Sequence, residues 1–185
     1  LTKLDDISKD KEINKVYGDE SFNLKDLLEI PSDYDGTLTY TLEEGNSVIS
    51  LDSNQLITIS NSGKAKIHVK APKTDNFKEV DFVVTVNIAK KNLGKINSSM
   101  IDWEKAEKTF DGKTEMKSKG VLNSKAGLKS GDEIKVSATL KTDTASAGTH
   151  ESQVTKVELS GNVENYTYET DVEKGPNVTI SAKDY

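Results

Sequence analysis

The sequence predicts an all-β protein built as two antiparallel β-sandwich modules in tandem. Three observations lead there: apolar residues alternate with polar ones in short runs, turn residues punctuate the runs, and the two halves carry the same markers in the same order. The alternation is plain at Thr37-Leu38-Thr39-Tyr40-Thr41-Leu42, where Leu38, Tyr40 and Leu42 share one face of an extended chain.

The same test selects Ser47 to Leu51, Gln55 to Ile59, Ala65 to Lys70 and Val80 to Ile88, the last with Phe82, Val84, Val86 and Ile88 on one side. Asp35-Gly36, Gly45-Asn46, Asp52-Ser53-Asn54, Asn61-Ser62-Gly63 and Pro72 separate these runs. In the second half the strands are Glu133 to Lys141, Val154 to Leu159, Tyr166 to Thr170 and Val178 to Ala182, punctuated by Gly127, Gly131, Gly148, Gly161 and Gly175-Pro176. Short strands at this spacing are the pattern of immunoglobulin-like sandwiches, not of parallel sheets with helical crossovers. Helix is expected only as a turn or two at Lys25 to Glu29 and at Trp103 to Lys108.

The repeat sets the module boundary. Lys15-Val16-Tyr17-Gly18-Asp19 returns as Lys108-Thr109-Phe110-Asp111-Gly112, Asn76-Phe77 as Asn165-Tyr166, and Val86-Asn87-Ile88-Ala89-Lys90 as Val178-Thr179-Ile180-Ser181-Ala182-Lys183, each pair roughly 90 residues apart. The expected division is a first module over residues 1–91, a linker over 92–99 and a second module over 100–185. Met100 to Lys108 would open the second module, and Leu1 to Glu12 would either open the first or be the tail of a preceding module. A module of roughly 90 residues still buries about 60–65% of its unfolded surface, so neither needs a staple.

Composition narrows the function classes. With no cysteine, thiol catalysis, zinc–thiolate sites and disulfide frameworks are all excluded. The net charge is −6 and all 25 basic residues are lysine, a balance opposed to nucleic-acid binding. No apolar run reaches the ~18 residues that a membrane helix needs.

Residues from about Asn14 to Lys91 resemble the MBG repeats of bacterial surface proteins. Their core, SVISLDSNQLITISNSGKAKIHVKAP, is similar to the group 2 bacterial Ig-like pattern of intimin- and invasin-type adhesins. Residues from about Asp102 to Asp184 resemble the YDG repeat, through TFDG at Thr109 to Gly112, the Gly131-Asp132 turn and GNVENYTYE before the closing strand; Phe110 replaces that family's usual tyrosine. The resemblances imply extracellular sandwich modules on large cell-surface or cell-wall proteins of Gram-positive type, and no catalytic residues.

Candidate chemistry is sparse. His68, between Ile67 and Val69, is expected to face solvent, and His150 to lie in a loop; neither has partners for nucleophilic catalysis. Asp33-Tyr34-Asp35-Gly36 has the look of a calcium loop, with Asp33 and Asp35 as weak metal candidates. Glu44 stands where an EF-hand glutamate would, but within an expected strand, so a plain Asp-Gly turn is the stronger reading. Trp103 and Tyr34 are the aromatics to suspect of stacking on a sugar. The aromatics of YGD and TFDG are expected to plug the ends of the cores, and Tyr166 to hold a corner. A lysine–asparagine crosslink would join Lys15 to Asn87, but Asn87 faces outward by alternation and none is expected.

The expectation is therefore a non-catalytic stalk or spacer repeat of an extracellular, wall-attached bacterial surface protein, monomeric and without cofactor. Its partners would be neighbouring repeats, with no nucleic acid and no membrane insertion. The alternative is an adhesin module that binds a host protein or glycan through a loop end or an exposed sheet face.

Overall fold

The computed structural model describes residues 9–184. The chain divides into two compact units, Leu1–Lys91 and Asn92–Tyr185. Most of the opening strand expected at Leu1 to Glu12 lies outside the described residues.

The first unit contains β1 (Lys11–Val16), β2 (Phe22–Asn23), the helical turn α1 (Leu24–Leu27), β3 (Thr39–Glu44), β4 (Ile49–Leu51), β5 (Leu56–Ile59), β6 (Gly63–Ala71) and β7 (Val80–Ala89). They form two sheets, ordered β1-β7-β6-β3 and β2-β5-β4. Taken in chain order, the third, sixth and seventh strands share one sheet and the second, fourth and fifth the other, the division of an immunoglobulin-type sandwich. All pairings are antiparallel except β1 with β7, which is parallel over six residue pairs.

The alternation read from sequence is the burial pattern. Phe82, Val84, Val86 and Ile88 of β7 are buried, as are Ala65, Ile67 and Val69 of β6 and Ile49, Ile57 and Ile59 of the facing sheet. Burying a side chain such as Phe82 contributes about 1.5–3 kcal/mol. The Asp52 turn forms as expected: Asp52 Oδ1 accepts the N–H groups of Asn54 (2.9 Å) and Leu56 (2.8 Å), closing the β4–β5 hairpin. Helix α1 begins where Asn23 Oδ1 accepts the N–H of Lys25.

The second unit runs through β8 (Lys91–Ile96), a 3₁₀ turn (Ser98–Met100), β9 (Ile101–Trp103), β10 (Ala106–Thr109), β11 (Glu115–Leu122), β12 (Ile134–Thr142), β13 (Gly148–His150), β14 (Ser152–Gly161), β15 (Tyr166–Thr170) and β16 (Val178–Ser181). Its sheets are β14-β12-β11-β9, β10-β16-β13 and the pair β15-β8. Ala106, Ala138, Leu140, Val178 and Ile180 form a core cluster, with Trp103, Met116 and Val154 packed against it.

Several expectations are corrected here. Residues 92–96 of the expected linker belong to β8, and β8 pairs with β15, so they are part of a sheet. The helical turn expected at Trp103 to Lys108 is extended chain, and the single opening strand expected at Met100 to Lys108 is two strands, β9 and β10, in different sheets. The polar pair Glu104-Lys105 breaks it, which an alternation count over Ile101 and Trp103 does not register. His150 lies on β13, not in a loop.

The two units share a frame more than a copy. In each, an early edge strand runs parallel to the last strand, and the last strand has an antiparallel neighbour on its other side. The repeated markers sit at equivalent places: Tyr17 N–H donates to Ala89 O, and Phe110 N–H to Ser181 O, both at 2.8 Å. Beyond that frame the sheet orders differ, and so do the aromatics. Tyr17 is buried as expected, but Phe110 is 40% exposed and does not plug the core.

Candidate functional site

The most polarised cluster lies on the outward face of the first unit. His68 points away from the core, since its neighbours Ile67 and Val69 point inward. The register places Thr41 of β3 opposite it on one side and Val83 of β7 on the other. A bulge between Leu42 and Glu44 turns Glu43 toward the imidazole, so Glu43 Oε1 lies 2.7 Å from Nδ1 while Asp81 Oδ1 lies 2.5 Å from Nε2. The bonds to Asp81 and then Glu43 raise the His68 pKa above its ordinary value, and the bond to His68 lowers that of Asp81. The carboxylates take opposite edges of one ring, an arrangement that ties three strands together and leaves no common point where both could share a cation with the histidine.

The Asp33–Gly36 loop is tied to the connection between β6 and β7. Asp35 accepts from Thr74 Oγ1 at 2.7 Å on one carboxylate oxygen and from Asn76 Nδ2 at 2.8 Å on the other, which holds its pKa low. Thr74 Oγ1 in turn accepts the N–H groups of Asn76 and Phe77. Glu44 is on strand β3 and Asp33 is exposed. Among the described residues no group of three His, Cys, Asp or Glu side chains is placed to hold a metal ion. Tyr34 is half-buried, edge-on to Phe77 with ring centroids 5.1 Å apart, and burial raises its pKa. Trp103 is half-buried against the second unit's core cluster.

The second unit has a corresponding device at TFDG. Asp111 Oδ1 accepts the N–H of Lys113 and the ammonium of Lys108 at 2.8 Å; Lys108 also donates to the carbonyls of Lys113 (2.6 Å) and Glu115 (3.2 Å). Gly112 follows at φ 75°, a conformation that favours glycine. The lysine's counterpart in the first unit, Lys15, instead lies over the Phe22 ring at 5.0 Å from its centroid. Asn87 Nδ2 donates to Asn14 Oδ1 on the other face of the sheet.

A crevice of about 560 Å³ opens in the second unit, walled by Lys141, Asp143, Glu151, Glu173 and Lys174. Both signs of charge are interspersed, and Lys174 already pairs with Glu151 at 3.7 Å. Ser152 also lines it, its hydroxyl donating to Pro176 O at 2.6 Å, so the crevice offers polar surface of mixed charge.

What sequence reading missed is the triad of Glu43, His68 and Asp81 and the three-oxygen cage of Lys108. The first needs a strand register and a bulge; the second needs the turn to bring two carbonyls back over β10. The isolated signal was an outward histidine on an alternating strand.

Residues 90–173, most of the second unit, match the YDG domain, which supports the YDG-type repeat expected there. A search of curated proteins finds no match. Among solved structures, an endo-fucoidan hydrolase from glycoside hydrolase family 107 is similar at 13% identity and TM-score 0.27, over 94% of this chain and 28% of that one. The polymeric Ig receptor ectodomain of a teleost fish is similar at 10% identity and TM-score 0.18, over 96% and 98%. The chain thus spans a little over a quarter of the hydrolase, and neither likeness bears on activity.

Proposed function

We propose that the chain is a non-catalytic stalk or spacer segment of a bacterial cell-surface protein, a first unit of MBG or group 2 Ig-like type followed by the YDG-type repeat. The observation that supports it is the parallel pairing of an early strand with the last strand in each unit. In the first unit the two strands run the same way, so the described chain enters at one end of the pair and leaves at the other, the geometry a lengthening module needs. From the Lys11–Val84 pair to the Val16–Ala89 pair is five register steps, roughly 17 Å at ~3.3 Å per residue. An adhesive role would instead draw on a loop end or a sheet face. The clusters described above spend their polar groups on one another.

Cell-surface display separates the two roles. The chain, anchored through its C terminus and carrying an epitope at its N terminus, is expected to raise antibody access to the epitope. It is expected to capture no glycan from an array and no extracellular-matrix protein. Saturable capture by the displayed chain would replace the spacer with the adhesin.

A further inference from the structure

We infer that the parallel strand pairs are mechanical clamps, and that the β1–β7 pair of the first unit resists shear more strongly than the β10–β16 pair of the second. The inference deepens the spacer reading, but it rests on strand geometry and is tested apart from it. When a unit is stretched through the residues before β1 and after β7, the two strands are drawn in opposite directions along their own axes. All the rungs between parallel strands are then loaded together, and the pair must shear as a block. An antiparallel hairpin pulled from its open end carries the load one rung at a time and unzips.

The rungs can be counted from the register. In the first unit β1 and β7 are aligned from Lys11 with Val84 to Val16 with Ala89. Bonds outside the ladder lengthen this clamp at both ends: Asp10 Oδ1 accepts the N–H of Val83 at 2.9 Å, and Tyr17 N–H donates to Ala89 O at 2.8 Å. Asn87 to Asn14 adds a side-chain rung at 3.1 Å, and Lys15 over Phe22 ties β1 to the other sheet. In the second unit β10 and β16 are aligned only from Ala106 with Val178 to Thr109 with Ser181, closed by Phe110 N–H on Ser181 O. Forced unfolding is governed by the rate of crossing the unfolding barrier, so the pair that must shear first sets the resistance.

The chain has no cysteine, so introduced cysteine pairs define where force is applied. In the whole chain, Lys9→Cys with Lys90→Cys shears β1 against β7. Ser62→Cys with Lys90→Cys opens β6 from β7 at the Gly63–Ile88 end of an antiparallel ladder. Lys105→Cys with Lys183→Cys shears β10 against β16. The three are read by single-molecule force spectroscopy at one loading rate. The first geometry should rupture at about twice the force of the second or more, with an extension gain of about 28 nm for some 80 released residues at ~3.6 Å each. The third should fall between them.

Equal forces in the first two geometries would overturn the inference, and so would a β10–β16 pair stronger than the β1–β7 pair. Lys15→Pro removes a donor from β1, because donors alternate along the strand with Tyr17. It should lower the shearing force and leave the unzipping force unchanged. The comparison of geometries in the unsubstituted strands decides the matter even if this variant does not fold. A weak clamp leaves the spacer reading standing, whereas ligand capture in the display experiment removes the spacer and leaves the clamp.

Discussion

The hydroxyl of Tyr166 donates to Asp132 Oδ2 at 2.6 Å and accepts the backbone N–H of Lys129 at 2.9 Å, so one buried ring fixes the turn ahead of β12. Tyr166→Phe keeps the ring and deletes both bonds. A loss of about 1–3 kcal/mol is expected, since two polar groups lose a partner near buried surface. Trp103 is the sole tryptophan and lies in the second unit, so its fluorescence during urea unfolding measures the change there.

Gly120 is needed for space and not for backbone freedom. A Cβ there would lie 2.6 Å from the carbonyl oxygen of Asp102 and 3.2 Å from the Cα of Trp103, where β9 pairs with β11. Gly120→Ala should cost about 1–3 kcal/mol, because backbone must shift to admit one methyl group. The same fluorescence transition should move to lower urea.

The Glu43–His68–Asp81 cluster makes the first unit's stability depend on pH. The groups facing His68 are Glu43 from β3 and Asp81 from β7, with Lys66 and Lys70 flanking it on β6. Its folded pKa is raised, so its contribution is complete below about 6.5 and is lost as pH rises through the folded value. The pKa of Asp81 is lowered, so its contribution is present above about 3.9 and is lost as pH falls through the folded value. Thermal midpoints of the first unit should be highest between about pH 4 and 6.5 and decline toward pH 9. His68→Gln should abolish the alkaline decline; an unchanged slope in that variant would assign it elsewhere.

Each unit should fold alone when the chain is divided between Lys91 and Asn92, as each has its own core residues. Division at residue 95 should be worse for the second unit, because it removes most of β8 from its pairing with β15. Calorimetry should show one cooperative transition for residues 1–91 and one for 92–185, with a lower midpoint for 96–185. Absence of a transition in both halves would mean that neither is an independent folding unit.

Lys15 and Asn87 should remain unlinked. The lysine side chain lies over Phe22 and the asparagine bonds Asn14 across the opposite face of β7, so the strand itself separates ammonium from amide. Intact-protein mass spectrometry should give the sum of the residues, without the loss of one ammonia that a crosslink requires.

The sequence by itself determined the all-β class, most long strands and the inward faces of β6 and β7. Alternation is a one-dimensional signal, and a one-sided sheet imposes it directly. It also disclosed the markers that end β1 and β10 beside their last strands. Strand β11 escaped because its inward positions Met116, Ser118 and Gly120 include a hydroxyl and a glycine, so no apolar period shows, although Ser118 is buried. Strand β8 escaped because its Lys-Asn-Leu-Gly-Lys-Ile run has the composition of a linker and becomes a strand only through β15, some 70 residues away. Only the tertiary structure decided which strands pair, that the first and last strands of the first unit run parallel, and that Glu43 and Asp81 reach the two edges of His68. Each is a relation between distant segments, fixed by register and by a bulge, and a local pattern of side chains carries no record of its partner.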